Sequence, residues 1–128
     1  MRILLDTCTF LWIVEDSPRL SQQARELFSD PGNEVLLSAV SAWEVIQKHV
    51  SGKLPLPDTP DRFITRHRKA HGLSPLALDE DAVLYLPRLP ALHRDPFDRM
   101  LVCQAIAQGL SILTPDPLVS QYPIRVLW

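Results

Sequence analysis

Short apolar runs alternate with capped, amphipathic segments along the whole chain, and this alternation constrains the fold more than any other feature. Ile3-Leu4-Leu5, Val35-Leu36-Leu37 and Ile112-Leu113 are continuous apolar runs. Runs of this kind suit strands buried on both faces, as in a parallel sheet covered by helices. The residues predict strands over 2–6, 34–38, 74–78, 110–114 and 124–128. They predict helices over 7–15, in a run that follows the turn at 17–21 and ends near Phe28, and over 39–50, 61–71, 79–86 and 96–108. A last short helical turn is expected over 116–122. Gly52, Gly72 and Gly109 stand where the third, fourth and sixth helices should stop, and Pro87 should end the fifth. In 39–50, Val40, Trp43, Ile46 and Val50 are spaced to share one apolar helical face. Residues 54–60 carry Pro55, Pro57 and Pro60 and read as an extended connector. The expected class is α/β, a mainly parallel sheet between helical layers, and 128 residues suit a single domain over 1–128.

Acidic residues recur where strand gives way to helix: Asp6, Glu44, Asp98 and Asp116. In a parallel sheet all these junctions lie along one edge, so acids distant in sequence can meet there. Each also has a local explanation. Asp6 suits a helix N-cap, Ser41-x-x-Glu44 a capping box, and Thr114-Pro115-Asp116-Pro117 a turn. Asp95 before Pro96 reads as a structural cap with at most a supporting role, whereas Asp98 lies one turn further along the same helical face and is the better ligand. Two unit charges about 4 Å apart repel by roughly 4 kcal/mol at an effective dielectric near 20. A helix N-terminus returns only about 0.3–1 kcal/mol. Several ionised carboxylates at one edge therefore call for a cation, and oxygen-only donors favour Mg²⁺ or Mn²⁺ over zinc. No His/Cys pair has zinc spacing, and His93 reads as a loop residue.

Other chemistries find no support. The chain has no Gly-x-Gly-x-x-Gly, no Walker-type loop and no Gly-x-Ser-x-Gly elbow. Asp6-Thr7-Cys8 lacks the second acid that a phosphatase with an aspartate nucleophile needs. Cys8 and Cys103 read as buried free thiols in apolar surroundings. No apolar stretch approaches the roughly 20 residues of a membrane span. The N-terminus has no signal-peptide pattern, so a cytoplasmic location is expected. Attack of a metal-activated water on a phosphodiester is the reaction that carboxylates with magnesium perform best.

The ordered set Leu4-Leu5-Asp6-Thr7, Ser38-Ala39-Val40-Ser41-Ala42-Trp43-Glu44, His93-Arg94-Asp95-Pro96-Phe97-Asp98-Arg99, Leu113-Thr114-Pro115-Asp116 and Val126-Leu127-Trp128 resembles a PIN-domain ribonuclease. The likeness is to the toxin half of a VapBC-type toxin–antitoxin pair and covers essentially the whole chain. It implies an α/β/α sandwich and Mg²⁺- or Mn²⁺-dependent endonucleolytic cleavage of RNA. It further implies that Asp6 and Asp98 are the principal metal ligands, Glu44 the third acid, and Asp116 a fourth that acts through water. Thr114 matches a hydroxyl that orients the site, and Asp95 belongs to the motif of this subgroup. A homodimer and a small antitoxin whose C-terminal segment covers the active site are implied as well.

The chain's net charge of −2 conceals a basic stretch at Arg62, Arg66, His67, Arg68, Lys69 and His71, with Lys48, His49 and Lys53 on or beside the preceding helix. Solvated helix surface is the plain explanation. Arg66 and Lys69, with Arg94 and Arg99 beside the acids, are nevertheless candidate contacts for an RNA backbone. The alternative to a ribonuclease is a catalytically silent PIN-like module that binds RNA or a partner protein.

Overall fold

Five strands form one sheet in the computed structural model, which describes residues Met1–Trp128. The strands are β1 (Arg2–Leu5), β2 (Glu34–Ser38), β3 (Ser74–Leu76), β4 (Ser111–Leu113) and β5 (Val126–Leu127). Their order is β3-β2-β1-β4-β5, and every pairing is parallel. Between them run α1 (Thr7–Glu15), α2 (Gln22–Ser29), α3 (Ala39–Val50), α4 (Pro60–Ala70), α5 (Glu80–Tyr85) and α6 (Pro96–Gln108). No helix is long and apolar enough to cross a membrane.

The continuous apolar runs follow from helices on both faces. Ile3, Leu5, Val35, Leu37 and Leu113 point into one core with Phe10, Ile13, Val45 and Phe63 from α1, α3 and α4. Leu4, Leu36 and Ile112 point into the other, with Ala82 from α5 and Leu101, Val102 and Ala105 from α6. Successive strand residues thus feed opposite layers, and each large side chain fully buried this way contributes about 1.5–3 kcal/mol.

The chain winds outward from β1 through β2 to β3, then returns by α5 and α6 to place β4 on the other side of β1. That reversal is a topological switch point, and crevices in open α/β sheets open beyond the strand carboxyl ends there. Leu5 is in register with Leu113, so the next residues on the two strands, Asp6 and Thr114, emerge side by side.

Several boundaries are tighter than the residues suggested. β3 ends at Leu76, β5 covers only Val126–Leu127, and the 116–122 segment forms a 3₁₀ turn over Val119–Gln121. The α5 helix ends at Tyr85, just ahead of Pro87 as expected, and a 3₁₀ turn follows it. Pro87 lies in that turn, over Leu86–Arg88, where the first turn has no need of its missing N–H. The expected apolar face of α3 is also wrong: Val40 is buried, but Trp43 is 55% and Val50 78% exposed. The inward face instead carries Val40, Ser41, Glu44 and Val45. Its rotation is set by polar bonds. Ser38 caps the helix and donates to Gln104 Oε1 at 2.5 Å, while Thr7 Oγ1 donates to Ser41 Oγ at 3.1 Å. Trp43 packs edge-on against Phe97, with ring centroids 4.8 Å apart.

Gln104 is the buried tie between layers. It accepts from Ser38 at the end of β2 and donates to the Ala77 carbonyl just past β3, at 3.2 Å. Gln104→Leu should lower unfolding stability by about 1–3 kcal/mol in urea denaturation, because the Ser38 hydroxyl and Ala77 carbonyl lose their partner. An unchanged midpoint would show that the two bonds contribute nothing to the packing of α6 on the sheet.

Candidate active site

The switch point opens into a cavity of about 230 Å³ lined by Asp6, Thr7, Cys8, Leu11, Glu44, Lys48, Asp95, Asp98 and Asp116. Five of these are acids, and they come from four separate stretches of chain. All four predicted acids are therefore brought together, and Asp95 joins them.

Asp6 is both cap and cavity residue, so the two explanations for it hold at once. Its Oδ1 accepts from the Thr9 N–H at 2.8 Å and caps α1, while Oδ2 accepts a short bond from the Thr114 hydroxyl. Thr114 in turn accepts from the Asp116 N–H at 3.1 Å, linking the ends of β1 and β4. Only 4% of Asp6 is exposed. Burial pushes its carboxyl above the ordinary range, although the bonds from Thr114 and Thr9 pull the other way.

Asp95 is the N-cap of α6, with Oδ1 accepting from the Phe97 and Asp98 N–H groups at 2.9 and 3.2 Å. The cap positions Asp98 one turn along, facing the cavity. Burial raises the Asp98 carboxyl to about 7, assisted by the negative charges of Asp95, Asp6, Glu44 and Asp116. His93 stands behind it, Nε2 lying 3.6 Å from Asp98 Oδ2 and Nδ1 2.7 Å from the Tyr122 hydroxyl. His93 is a loop residue, as expected, and its ring is held between Asp98 and Tyr122.

The Ser41–Glu44 capping box does not form, because Ser38 is the N-cap and Ser41 lies inside α3 bonded to Thr7. Glu44 instead projects from the buried face, with Oε2 2.5 Å from the Lys48 ammonium and Oε1 buried without a partner. Partial burial lowers the Lys48 pKa, but the bond to Glu44 and the charges of Glu44, Asp95 and Asp98 outweigh it, leaving the amine above its ordinary value. Lys48 was not singled out for the site by its sequence context. The signal that could have found it is the i,i+4 spacing from Glu44 on a predicted helix.

Cys8 departs from expectation as well: the residue is exposed, and its Sγ lies 3.5 Å from both Asp6 carboxylate oxygens. Burial of the sulfur against the cavity wall and the neighbouring Asp6 charge push the thiol to about 12, which removes it as a nucleophile near neutral pH. Its α1 position two residues past the cap turns it to the cavity rather than the core. Cys103 is buried, as expected.

The basic candidates do not gather here. Arg99 donates to the Pro90 carbonyl at 2.8 Å and the Tyr122 hydroxyl at 3.2 Å, and Arg94 is exposed outside the cavity lining. Arg66 pairs with Asp58 at 3.0 Å and Lys69 is exposed, both on α4, which does not border the cavity.

The donors available to a cation are mainly carboxylate oxygens, a set suited to a hard divalent ion. The orphaned Glu44 Oε1 marks a local shortage of positive charge, and the acidic neighbours add to the burial that raises Asp98. No three His, Cys, Asp or Glu side chains converge as a ready-made coordination shell. Glu44 is turned to Lys48, and Asp6 to Thr114.

A model of the PIN-domain family matches residues 3–123. The chain belongs to the PIN-domain family. Ribonuclease VapC16 of Mycobacterium tuberculosis (strain ATCC 25618 / H37Rv) is 38% identical over 66 residues, a match covering 48% of this chain and 47% of that protein. The chain therefore spans about half the length of that curated relative. In fold, this PIN domain resembles a chain of VapBC2 from Rickettsia felis bound to a promoter DNA fragment. That TM-score is 0.74 at 17% identity, covering 100% of this chain and 99% of that one. A chain of DNA-bound VapBC from Salmonella typhimurium gives 0.70 at 19% identity, covering 99% and 97%. These likenesses bear out the expected PIN-like sandwich around a parallel sheet.

In the folded chain Asp98 keeps its proton up to about pH 7, whereas the unfolded chain releases it near 3.8. The folded form holds the extra proton across that window, so metal-free stability falls as pH rises through it. Asp98→Asn should match the wild type below the window and exceed it above, on the order of 1 kcal/mol after allowing for solvent screening. Urea denaturation in chelator at both ends of the window checks this. Equal stabilities at the upper end would contradict it.

Proposed function

We propose that this PIN domain, acting as a single nuclease unit over residues 1–128, is a divalent-metal-dependent endoribonuclease. In this reading it is the VapC-type toxin of a type II toxin–antitoxin pair. The observation that carries the proposal is the meeting of Asp6, Glu44, Asp98 and Asp116 around one cavity at the sheet's switch point. The identity with Ribonuclease VapC16 supports ribonuclease chemistry, and the VapBC likenesses support an antitoxin partner. A cytoplasmic homodimer is part of the same reading.

Asp6 and Asp98 are the principal ligands in this proposal, with Glu44 as third acid and Asp116 as a fourth, and Mg²⁺ or Mn²⁺ suits their oxygens. When bound, such an ion lowers the pKa of a water and offsets charge on the phosphate oxygens. The chain's own residues prepare the site. Thr9 and Thr114 fix both oxygens of Asp6, so that carboxylate loses little freedom on engaging an ion. The Asp95 cap orients Asp98, and His93 stands against its other side. Burial first, and then the charges of four neighbouring acids, raise the Asp98 carboxyl, and a divalent charge held by these residues would favour its ionised form. Buried Glu44 presents its unpartnered oxygen for the same charge.

One observation favours the silent-module reading, the lack of three converged ligands. The same experiment separates the two. Purified protein, freed from any antitoxin, should cleave RNA with Mg²⁺ or Mn²⁺ and stop in EDTA. Asp6→Asn and Asp98→Asn should each lose at least about 100-fold, the upper end of what removing mere supporting contacts at metal sites costs. Cleavage unaffected by EDTA and by both substitutions would end the metal mechanism. No cleavage under any condition favours the silent module.

A further inference from the structure

RNA approaching this cavity meets negative charge on almost every side. Among its nine lining residues, Lys48 is the sole basic one. The arginines near the acids in sequence are committed or turned elsewhere, Arg99 to Pro90 and Tyr122, Arg94 outside the lining. Lys48 is built into the site from α3, one helical turn beyond Glu44, with its ammonium 2.5 Å from Glu44 Oε2. Its side chain is 48% exposed against 5% for that of Glu44, so the cation sits at the rim while its partner is inside. The second Glu44 oxygen has no partner at all. A single ammonium therefore answers only half of a buried carboxylate, in a cavity where four further acids add to the negative field.

We propose that Lys48 is an exchangeable counter-cation: it neutralises Glu44 in the metal-free site, yields Glu44 to an arriving divalent ion, and then pairs with a phosphate oxygen of the RNA. The proposal rests on the reading of these acids as a divalent-cation site. A monovalent ammonium at the Glu44 carboxylate opposes the ion twice, by occupying one of its oxygens and by repelling its double charge. Once that charge is in place, the flexible four-carbon stem leaves the ammonium free at the cavity rim, where a phosphodiester must pass. Lys48 is thus a positioning residue that weakens metal binding and strengthens substrate binding. A residue of purely structural value would shift both in one direction.

The test uses the wild-type chain, Lys48→Met and Lys48→Arg, with folding checked by circular dichroism. Mn²⁺ binding is measured by calorimetry in the absence of RNA. Lys48→Met should bind Mn²⁺ roughly tenfold more tightly, the effect expected of removing one positive charge at a half-solvated position. Lys48→Arg should remain near wild type. A labelled single-stranded RNA is then titrated by fluorescence anisotropy with Ca²⁺ as the site cation, over a range of salt. Lys48→Met should bind it several-fold more weakly, its salt slope smaller by about 0.7, the value for one phosphate contact. Lys48→Arg should restore both. Mn²⁺ affinity unchanged or reduced in Lys48→Met, or an unchanged RNA salt slope, overturns the proposal. If the wild type itself binds no Mn²⁺, the metal-site reading falls, and this proposal falls with it.

Discussion

Repulsion among carboxylates at the ends of β1 and β4 is the constraint on which the rest of the site depends. Strands held in register at Leu5 and Leu113 must deliver Asp6 and Thr114 side by side, and the return of the chain through α6 brings Asp98 to the same edge. Nothing in the sheet relieves the resulting charge. Its effect is visible at Asp98, whose carboxyl is raised to about 7 by burial and four acidic neighbours. The fold answers locally, with hydroxyl and amide donors on Asp6, an ammonium on Glu44 and a retained proton on Asp98. These are partial remedies, and a divalent cation would satisfy what they leave.

Asp6 and Glu44 can be held against this repulsion because both are buried at or within regular elements. Ile3, Leu4 and Leu5 are fully buried between two apolar layers, so the position of Asp6 is set by packing rather than by a loop. Ser38 ties the start of α3 to Gln104 of α6, which fixes the helix carrying Glu44 against the helix carrying Asp98. Polar bonds in this core act together with the buried Val40 and Val45 of α3. They turn Ser41 and Glu44 inward and leave Trp43 and Val50 outside.

The acids were legible in the chain because a parallel sheet sends every strand end to one edge, so a one-dimensional pattern carries three-dimensional information. The long elements were legible for a similar reason: β2, α1, α3 and α6 have the predicted bounds, their ends marked by caps and glycines. What escaped depends on orientation and long-range partners. The periodicity of α3 could not reveal which side faces in, since the deciding bonds reach Gln104 and Thr7. Lys48 looked like one more surface base until its partner proved to be buried. Cys8 looked apolar from its neighbours, yet its place two residues past the α1 cap turns it to the acids. Arg99 stood beside Asp98 in sequence, but successive helical residues point about 100° apart, and it braces Pro90 and Tyr122 instead.

Membership of the PIN-domain family and the crowded acids are the observations behind the proposed metal-dependent RNA cleavage. The central claim is that these carboxylates share a cation. Anomalous diffraction from crystals soaked in Mn²⁺ tests this most directly. The account predicts a peak within ligand distance, about 2.0–2.4 Å, of both Asp6 and Asp98 carboxylates, with Glu44 released from Lys48. A well-ordered site with no peak, or Mn²⁺ bound only elsewhere on the surface, would contradict it.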